Sequence, residues 1–348
     1  MAGNICRWRA RSRGSDTIPH GWIILDKPLG LGSTQAVAAV KRNLRAGGYG
    51  KVKVGHGGTL DPLATGVLPI ALGEATKLAG RMLDASKEYA FTLRFGAHTD
   101  TLDLEGKVVA ESAVRPSLAT LEAVLERFTG AIAQVPPAYS ALMVDGRRAY
   151  HLARAGQDVT LPSRAVTVFS LSVLPDGAWE TVAGGAGHAP EEAAVSQPGG
   201  LPPPAPGGGL QQLTFHAHVS KGTYIRSLAR DIAQALGTVG HVTMLRRLRA
   251  GPFGLDRAIS LDNLNAIGQG AALENITLPL EAGLDDIPAL DLGPEQAKAV
   301  RQGRVLTGLA FQDGVYWARQ GQMPVALVEL SGGSLRVLRG FNLPDVAE

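Results

Sequence analysis

Three patterns in the sequence predict an α+β fold with a small β-rich module at its C-terminal end. Residues 89 to 95 alternate between large apolar side chains and smaller or polar ones, which is the two-residue period of a half-buried strand. Apolar residues that follow Ser33, Ser117 and Gly222 recur instead at the three- and four-residue spacing of helices. From Pro288 onward, short apolar stretches separated by glycine turns indicate further strands.

The N-terminal part of the chain predicts one strand and one helix. The apolar run from residue 22 to residue 25 is typical of a short buried strand, and Lys27-Pro28 would end it. Ser33 is a residue type that caps helices, so we expect a helix to begin there. The pair Gly47-Gly48 would then stop this helix.

The middle of the chain predicts two more helices and one more strand. Pro116-Ser117 would open a helix that closes at Gly130. Alternating apolar residues from 213 to 219 predict a strand. The turn 220–222 then leads into a helix with one apolar face, which Gly237 ends.

Composition and charge suit an enzyme or a binding protein with a polyanionic partner. The chain has 348 residues, which predicts a large domain and a smaller one. Its formal net charge is +3, and its basic residues crowd towards the N-terminus. Residues 1 to 53 contain two acidic residues, Asp16 and Asp26. The same range contains ten basic residues: Arg7, Arg9, Arg11, Arg13, Lys27, Lys41, Arg42, Arg45, Lys51 and Lys53. Such a region would attract phosphates, although a solvated basic surface has the same composition.

Several classes of protein are disfavoured by the sequence. The single cysteine, Cys6, excludes an internal disulfide and favours a cytoplasmic protein. His216 and His218 share one face of a predicted strand without a nearby carboxylate, so we expect no metal site. No apolar run is long enough to cross a bilayer, so we expect no membrane partner.

Two segments have compositions that do not predict a packed core. Residues 1–18 are arginine-rich and lack an apolar stretch, so we expect a disordered basic arm. Residues 176–209 consist largely of Ala, Gly and Pro, which predicts a flexible insertion.

The segment from Gly55 to Gly66 is the strongest candidate for a functional loop. Its glycines allow tight turns and the close approach of a ligand, and Pro62 keeps Asp61 out of the helical conformation. The segment lacks the spacing of a phosphate-binding P-loop or a dinucleotide fingerprint. An Asp-Pro pair in such a loop is commonly only a turn, so the segment alone does not decide whether Asp61 is catalytic.

Arg226 is the second unusual residue. It falls in the first turn of the predicted helix, where the helix dipole disfavours a cation. This position predicts a compensating anion nearby, such as a carboxylate from another loop. The alternative is that the side chain extends into solvent.

Six segments carry a resemblance to a known family: 25–30, 55–66, 87–89, 135–141, 220–231 and 245–248. They occur in the order found in TruB-type tRNA pseudouridine synthases, which the chain resembles from about residue 20 to about residue 255. The resemblance implies a catalytic domain over residues 19–287, built on a mixed, mostly antiparallel central sheet flanked by helices. It further implies that residues 134–157 grip the T arm of tRNA and that residues 288–348 form a β-barrel-like PUA domain that binds RNA.

The resemblance also implies the roles of individual residues. Asp61 matches the catalytic aspartate, Arg226 matches its ion-pair partner, and Tyr89 matches the tyrosine that stacks on the target base. For Tyr89 the residues alone also allow a core aromatic on the face of the predicted strand. The implied substrate-binding residues are His56, Lys77, Tyr224, Leu245, Arg246 and Arg247.

The implied activity is the conversion of uridine 55 in the T-arm loop to pseudouridine. The product is an isomer of the substrate, so we expect no cofactor, and we expect the tRNA T-arm stem-loop as partner with no obligate protein partner. Two alternatives stay open: an RNA-binding protein that helps tRNA fold without chemistry, and a synthase that depends on a guide RNA. Turnover by the purified chain on a bare T-arm stem-loop separates them.

Three positions depart from the family pattern. Gly32 and Gly57 stand where the family commonly has threonine, and Met143 stands where it commonly has lysine. The loss of the lysine removes one expected phosphate contact, so we expect an effect on affinity for RNA more than on catalysis.

Overall fold

The computed structural model describes residues 19–175, 209–268 and 273–343. The predicted basic arm 1–18, and the predicted insertion 176–209 except for its last residue, lie outside the described residues. Within the described ranges, each helix is too short or too polar to span a bilayer. The predicted domain limits stay predictions.

Strands make up most of the described structure. In chain order they are β1 (Gly21–Lys27), β2 (Val54–His56), β3 (Ala64–Leu72), β4 (Lys87–Phe95), β5 (Ala97–Thr99), β6 (Val108–Glu111), β7 (Gly130–Gln134), β8 (Met143–Val144), β9 (Arg147–Arg148), β10 (Arg164–Val173), β11 (Gln212–Val219), β12 (Gly240–Ala250), β13 (Phe253–Gly254), β14 (Ile259–Ser260), β15 (Leu278–Pro279), β16 (Ala289–Asp291), β17 (Leu306–Thr307), β18 (Gly314–Gln320), β19 (Met323–Ser331) and β20 (Ser334–Gly340).

The helices are shorter and lie between these strands. The α-helices are α1 (Ser33–Ala46), α2 (Ala79–Asp84), α3 (Leu118–Leu125), α4 (Ala149–Arg154), α5 (Ile225–Ala235), α6 (Leu261–Gly268) and α7 (Pro294–Arg301). The 3-10 helices are Gly73–Leu78, Glu126–Phe128, Leu255–Arg257, Leu273–Ile276 and Leu280–Gly283.

A large mixed sheet forms the centre of the molecule. Its strand order is β14-β1-β3-β12-β4-β11-β10-β7, and β2, β13 and β15 pair with β3, β12 and β1. Most neighbours are antiparallel, but β3 and β12 run parallel, with Leu245 opposite Ala64. The sheet is therefore mixed and mostly antiparallel, as predicted.

Strand β4 differs from the prediction in its burial. It lies inside the sheet, between β12 and β11, and side chains on both of its faces are buried. Phe91 and Leu93 contact the helical layer, while Ala90 and Thr92 are buried on the other face. The expectation of a half-buried strand was wrong because a central strand can be covered on both sides whatever its alternation.

Helices α1 and α5 lie on the same face of the large sheet. Helix α1 packs over β1 and β3, whereas α5 packs over β4 and β11. Tyr89 and Leu245 contact both of these clusters, so the two cores are continuous. The cores under the two helices therefore meet at β12 and the start of β4.

Helix α1 begins at Ser33 as predicted, but Ser33 is not its cap, and the difference matters for the site. Gly32 is the N-cap, and Gln35 accepts its backbone N–H at 2.8 Å. The Ser33 hydroxyl instead contacts both the N–H and the C=O of Leu60, each at 2.9 Å. At α3 the predicted start is confirmed, and Ser117 is the N-cap, because its side chain accepts a hydrogen bond from the N–H of Thr120.

The C-terminal residues form a second, five-stranded sheet. Its order is β16-β18-β19-β20-β17, and helix α7 packs against its core. Leu327 and Phe341 pack into a cluster with Trp22 of the large sheet. The backbone N–H of Asn342 donates to Glu74 at 2.6 Å. The predicted β-rich module is thus present and is joined to the large sheet through a shared apolar core.

Gly66 generates a test of the central sheet. It has a φ of +100° and lies between β1 and β12, where an added Cβ would approach the Arg247 carbonyl oxygen to 2.1 Å. We expect Gly66→Ala to destabilise the protein by about 3 kcal/mol or more, because strain and overlap add. Urea unfolding measures the change.

Gly48 provides the matched control. Its φ is +80°, but nothing lies within 4 Å of an added Cβ. Gly48→Ala should therefore cost only about 1 kcal/mol of backbone strain. Equal losses for the two variants would contradict the assigned packing of β1, β3 and β12.

Candidate active site

The loop between β2 and β3 presents Asp61 and is fixed along its length. The N–H of Ala64 donates to the Asp61 carbonyl at 3.0 Å, which closes a turn. The N–H of Gly30 donates to the Pro62 carbonyl at 2.9 Å. Together with the contact between Ser33 and Leu60, these bonds tie the loop to the start of α1. The Asp61 side chain itself stays 41% exposed.

Two buried cations hold this loop by its backbone. Lys27 is fully buried, and its Nζ donates to the carbonyls of Pro28 at 3.0 Å, Leu31 at 2.7 Å and Pro62 at 3.3 Å. Arg247 is also buried. Its donors reach the carbonyls of Val67 at 2.7 Å, Gly58 at 3.1 Å and Thr59 at 3.3 Å. These bonds satisfy carbonyls that would otherwise be buried without partners.

Arg226 brings three parts of the chain together. Its Nη2 lies 2.9 Å from Oδ2 of Asp61, and its Nη1 lies 3.3 Å from Oδ2 of Asp103. The same guanidinium donates to the carbonyls of Thr101 at 2.8 Å and Tyr139 at 3.0 Å. Its side chain is 6% exposed, so the charge is buried and fully paired. The anion predicted from the position of Arg226 at a helix start is present.

The start of α5 also holds the segment 134–157. The N–H of Tyr224 donates to Oε1 of Gln134 at 2.8 Å. The carbonyl of Val135 accepts from Ser227 at 2.8 Å and from Arg230 at 2.9 Å. The predicted gripping segment, with its β8–β9 hairpin and α4, is therefore attached to the same helix turn that carries Arg226.

A narrow pocket opens beside Asp61. It is lined by Asp61, Leu63, Ala64, Asp103, Leu104, Arg226, Val242, Thr243, Met244 and Leu245. Its volume of about 20 Å³ has room for about one water molecule. A nucleobase would have to displace side chains at its mouth, and Leu104 is 43% exposed there.

Three further predicted site residues are Tyr89, Leu245 and Tyr224. Tyr89 and Leu245 lie on neighbouring strands and join the cores under α1 and α5, next to the pocket that Leu245 lines. Tyr224 is the N-cap of α5, and the guanidinium of Arg164 lies 5.9 Å from its ring centre. Burial raises the pKa of Tyr224. Leu245 thus lines the pocket and Tyr224 lies at the start of α5, whereas Tyr89 packs against the two cores and is not among the residues that line the pocket.

His56 supports the loop from β2. The N–H of Gly58 donates to its Nδ1 at 3.4 Å. Burial lowers the pKa of His56, and the neighbouring Arg247 adds to this effect. The imidazole is therefore held in its neutral form inside the loop.

Three predicted substrate-binding cations have other partners in the structure. Arg247 has no exposed surface to offer to RNA, because it holds the loop. Arg246 forms a bidentate pair with Asp26 at 2.9 and 2.8 Å. Lys77 pairs with Glu74 at 2.7 Å and donates to the Gly340 carbonyl at 2.8 Å, on the side of the C-terminal sheet. Each of these cations thus has partners within the protein, and its predicted contact with substrate stays a prediction.

The sequence reasoning missed Asp103, the second carboxylate on Arg226. Asp103 also accepts from the Thr101 hydroxyl at 2.5 Å and from the N–H of Glu105 at 3.0 Å. The available signal was the dense polar run from residue 98 to residue 105. The turn that orients Asp103 towards Arg226 contains Leu102 at a φ of +64°. The residue types in this turn do not predict that backbone conformation.

The structure shows the surroundings of two departures from the family pattern, Gly57 and Met143. An added Cβ at Gly57 would lie 2.5 Å from the Cβ of Met82, so this chain fills with Met82 the space that a side chain at 57 would need. Met143, in the β8–β9 hairpin, is 56% exposed.

Across residues 19–175, 209–268 and 273–343, no group of three or more His, Cys, Asp or Glu side chains is arranged to hold a metal ion.

Comparison with known proteins identifies relatives of nearly the full length. A model of the TruB family pseudouridylate synthase N-terminal domain matches residues 45–179. A model of the tRNA pseudouridylate synthase B C-terminal domain matches residues 226–285. The tRNA pseudouridine synthase B of Novosphingobium aromaticivorans is 68% identical over 94% of this chain and 99% of its own length. The Zymomonas mobilis protein of the same name is 53% identical over 93% of this chain and 96% of its own.

Solved structures show the same fold. The chain is similar to one in an H/ACA RNP bound to a substrate RNA containing 2′-deoxyuridine, with a TM-score of 0.63 and 24% identity over 94% of this chain and 86% of that one. A chain of a Cbf5-Nop10-Gar1 complex gives a TM-score of 0.63 and 25% identity over 94% of this chain and 86% of that one. The predicted fold class is confirmed.

The buried charge of Arg226 predicts a large stability loss on its removal. Arg226→Met would leave the carboxylate of Asp103, only 10% exposed, and two backbone carbonyls without their partner. We expect a loss of about 3–5 kcal/mol in urea unfolding. Arg336→Met removes a surface partner of Glu329 and should cost at most about 1 kcal/mol. Similar losses of stability for both variants would contradict the buried contacts assigned to Arg226.

Lys27 predicts a dependence of stability on pH. Burial lowers its pKa from 10.5 to about 8 in the folded protein. Between these values the unfolded chain binds more protons, so the stability contributed by this site rises with pH. The stability of the native protein minus that of Lys27→Met should rise by about 1 kcal/mol per pH unit across this window. Parallel pH curves for the two proteins would sink the assignment.

Proposed function

This chain belongs to the TruB family of pseudouridylate synthases, and from this membership we propose that it converts uridine 55 in the T-arm loop of tRNA to pseudouridine. Its relatives that are named tRNA pseudouridine synthase B support pseudouridine formation in tRNA. The observation that carries the proposal is the 2.9 Å pair between the half-exposed Asp61 and the buried Arg226, at the mouth of a pocket.

The reaction exchanges one bond for another within the same nucleotide. The bond between ribose C1′ and uracil N1 breaks, the base turns, and a bond from C1′ to C5 forms. C5 then loses its proton, and N1 gains one. Atoms and electrons balance without an external reagent, so the proposed reaction requires no cofactor.

Asp61 is the proposed catalytic carboxylate. In its ionised form it can attack C1′ or C6 of the nucleotide, or remove the proton at C2′. Each route needs a charged oxygen that is exposed to the substrate and held in place. Arg226 supplies the opposite charge from the buried side, and the loop bonds leave the other side of Asp61 open.

The residues around the pocket have proposed roles in holding the base. The target uridine must leave its stack at a cost of a few kcal/mol, and Tyr89 and Leu245 offer replacement contacts. The phenol of Tyr89 is also the proposed base that takes the C5 proton. Tyr224, the N-cap of α5, and His56, which supports the loop that carries Asp61, are the other proposed contacts.

The segment 134–157 is proposed to grip the T arm. Its backbone is bonded to Arg226, Ser227 and Arg230, so RNA held by this segment would lie next to Asp61. A 1 Å displacement at this junction would affect positioning of the nucleotide more than its affinity.

Release of tritium from RNA labelled at uracil C5 tests the proposal. The purified protein should release tritium from a bare T-arm stem-loop and from whole tRNA, and chemical mapping should find pseudouridine at position 55. Asp61→Asn keeps the size of the side chain and should lose at least about 10³-fold in turnover. Asp286→Asn, an exposed aspartate that pairs with Arg81 at 2.8 Å, is the matched control and should keep full turnover.

The same experiment separates the alternatives. A folding helper without chemistry would bind tRNA but release no tritium. A synthase that depends on a guide RNA would be inert on bare substrate. Full turnover by Asp61→Asn would reject the catalytic assignment of Asp61 while leaving the fold unaffected.

A further inference from the structure

Five exposed cations lie at neighbouring positions of the chain, outside the contacts of the candidate active site. They lie on the outer side of α1 and on the loop that follows it, and they are Lys41, Arg42, Arg45, Lys51 and Lys53. Helix α1 contains no acidic residue, and among the described residues none of these cations has a carboxylate within 4 Å. We refer to these five residues as the α1 basic surface.

The α1 basic surface differs from other charged parts of this protein. Arg81, Arg154 and Arg249 are each paired with a carboxylate, at 2.8, 3.4 and 3.4 Å. Such pairs cancel charge locally, whereas five unpaired cations produce a positive field that extends about 8 Å at physiological salt. The helix dipole accounts for at most one of them, Arg45 in the last turn, since the loop cations lie beyond the helix.

The position of α1 relates this surface to Asp61. Ser33, the first residue of α1, contacts the residue that precedes Asp61. At 1.5 Å per residue, the cations of the helix lie about 12–18 Å along its axis from that contact. Helix α5, which holds the segment 134–157, lies on the same face of the sheet but over other strands. Asp61 is therefore linked through Arg226 to the helix that holds the segment 134–157, and through its neighbour Leu60 to the first turn of α1.

The composition of the surface favours nucleic acid over protein. Its exposed neighbours on α1 are Thr34, Gln35, Ala38 and Ala46, which are small or polar. A protein interface commonly has an apolar centre with aromatic residues. The exposed positions of α1 include no aromatic residue, and Tyr49 and Val52 of the following loop pack against the core under the helix. Phosphates, in contrast, need only cations, and their binding gains from the release of counterions.

We propose that the α1 basic surface is a second RNA-binding surface, which contacts phosphates of tRNA outside the T arm. This inference rests on the proposed function, since the T arm would be held on the opposite side of Asp61. A whole tRNA would then be bound on both sides of the reacting nucleotide. A T-arm stem-loop alone would use the segment 134–157 and the pocket but would not reach the α1 basic surface.

The test compares whole tRNA with the T-arm stem-loop for the variant Lys41→Gln/Arg42→Gln/Arg45→Gln. Glutamine has a helix propensity close to that of lysine and arginine, so α1 should persist, and circular dichroism checks it. For whole tRNA we expect KM to rise about 10-fold and the slope of log affinity against log salt to fall by about 2–3. For the stem-loop, kcat and KM should stay within about twofold, because no contact is lost there.

A variant with scattered changes controls for net charge. Arg127→Gln/Lys107→Gln/Arg257→Gln removes the same number of charges from exposed positions outside the α1 basic surface. It should leave the KM for whole tRNA within about twofold. An equal rise in KM for both triple variants would show a general charge effect and would overturn the proposal.

The remaining outcomes are also decisive. An unchanged KM for whole tRNA overturns the proposal, and an equal rise for whole tRNA and stem-loop assigns the surface to the T arm instead. If the variant loses binding to phosphatidylserine vesicles while its tRNA affinity is unchanged, the surface serves a membrane and the proposal fails. If the native protein turns over neither RNA, the proposed function fails, while direct binding of whole tRNA still tests the surface.

Discussion

The buried guanidinium of Arg226 is the interaction on which the rest of the site depends. It pairs with one carboxylate from each of two loops and donates to two backbone carbonyls. One planar group therefore contacts four acceptors. A cation with this little exposure is tolerable because each of its two terminal nitrogens lies near a carboxylate and donates to a backbone carbonyl. The loop of Asp61, the turn of Asp103 and the segment 134–157 are held in a common geometry for the same reason.

A second layer of buried cations fixes the loop without using side-chain acceptors. Lys27 and Arg247 donate to backbone carbonyls before and after Asp61. The backbone of the loop is thereby rigid, while the carboxylate at its tip stays half exposed. In the proposed reaction this division matters, because the nucleophile must be accessible but must not move. The two helices that begin here, α1 and α5, add the positive ends of their dipoles.

Local patterns predicted much of this structure, and their failures have physical causes. Strands β1 and β11 and helix α5 followed from periodicity, and the helix dipole predicted an anion near Arg226. That this anion is Asp61 was implied by the family resemblance alone. The burial of Lys27 and Arg247 did not follow, because charged side chains are expected at the surface unless their partners are known. The parallel pairing of Ala64 with Leu245 joins residues far apart in the sequence, so periodicity alone contained no information about it. Asp103 escaped notice because its orientation depends on an unusual backbone conformation at Leu102.

The apolar cluster that joins Trp22 to Leu327 and Phe341 has a consequence for the geometry of recognition. Because the C-terminal sheet shares this cluster with the large sheet, it cannot swing on a hinge without exposing buried aromatic surface to water. The Lys77–Gly340 and Glu74–Asn342 hydrogen bonds oppose such a rotation as well. These contacts therefore keep the distance from Asp61 to the C-terminal sheet fixed. A molecule that contacts both must have two contact points separated by that distance.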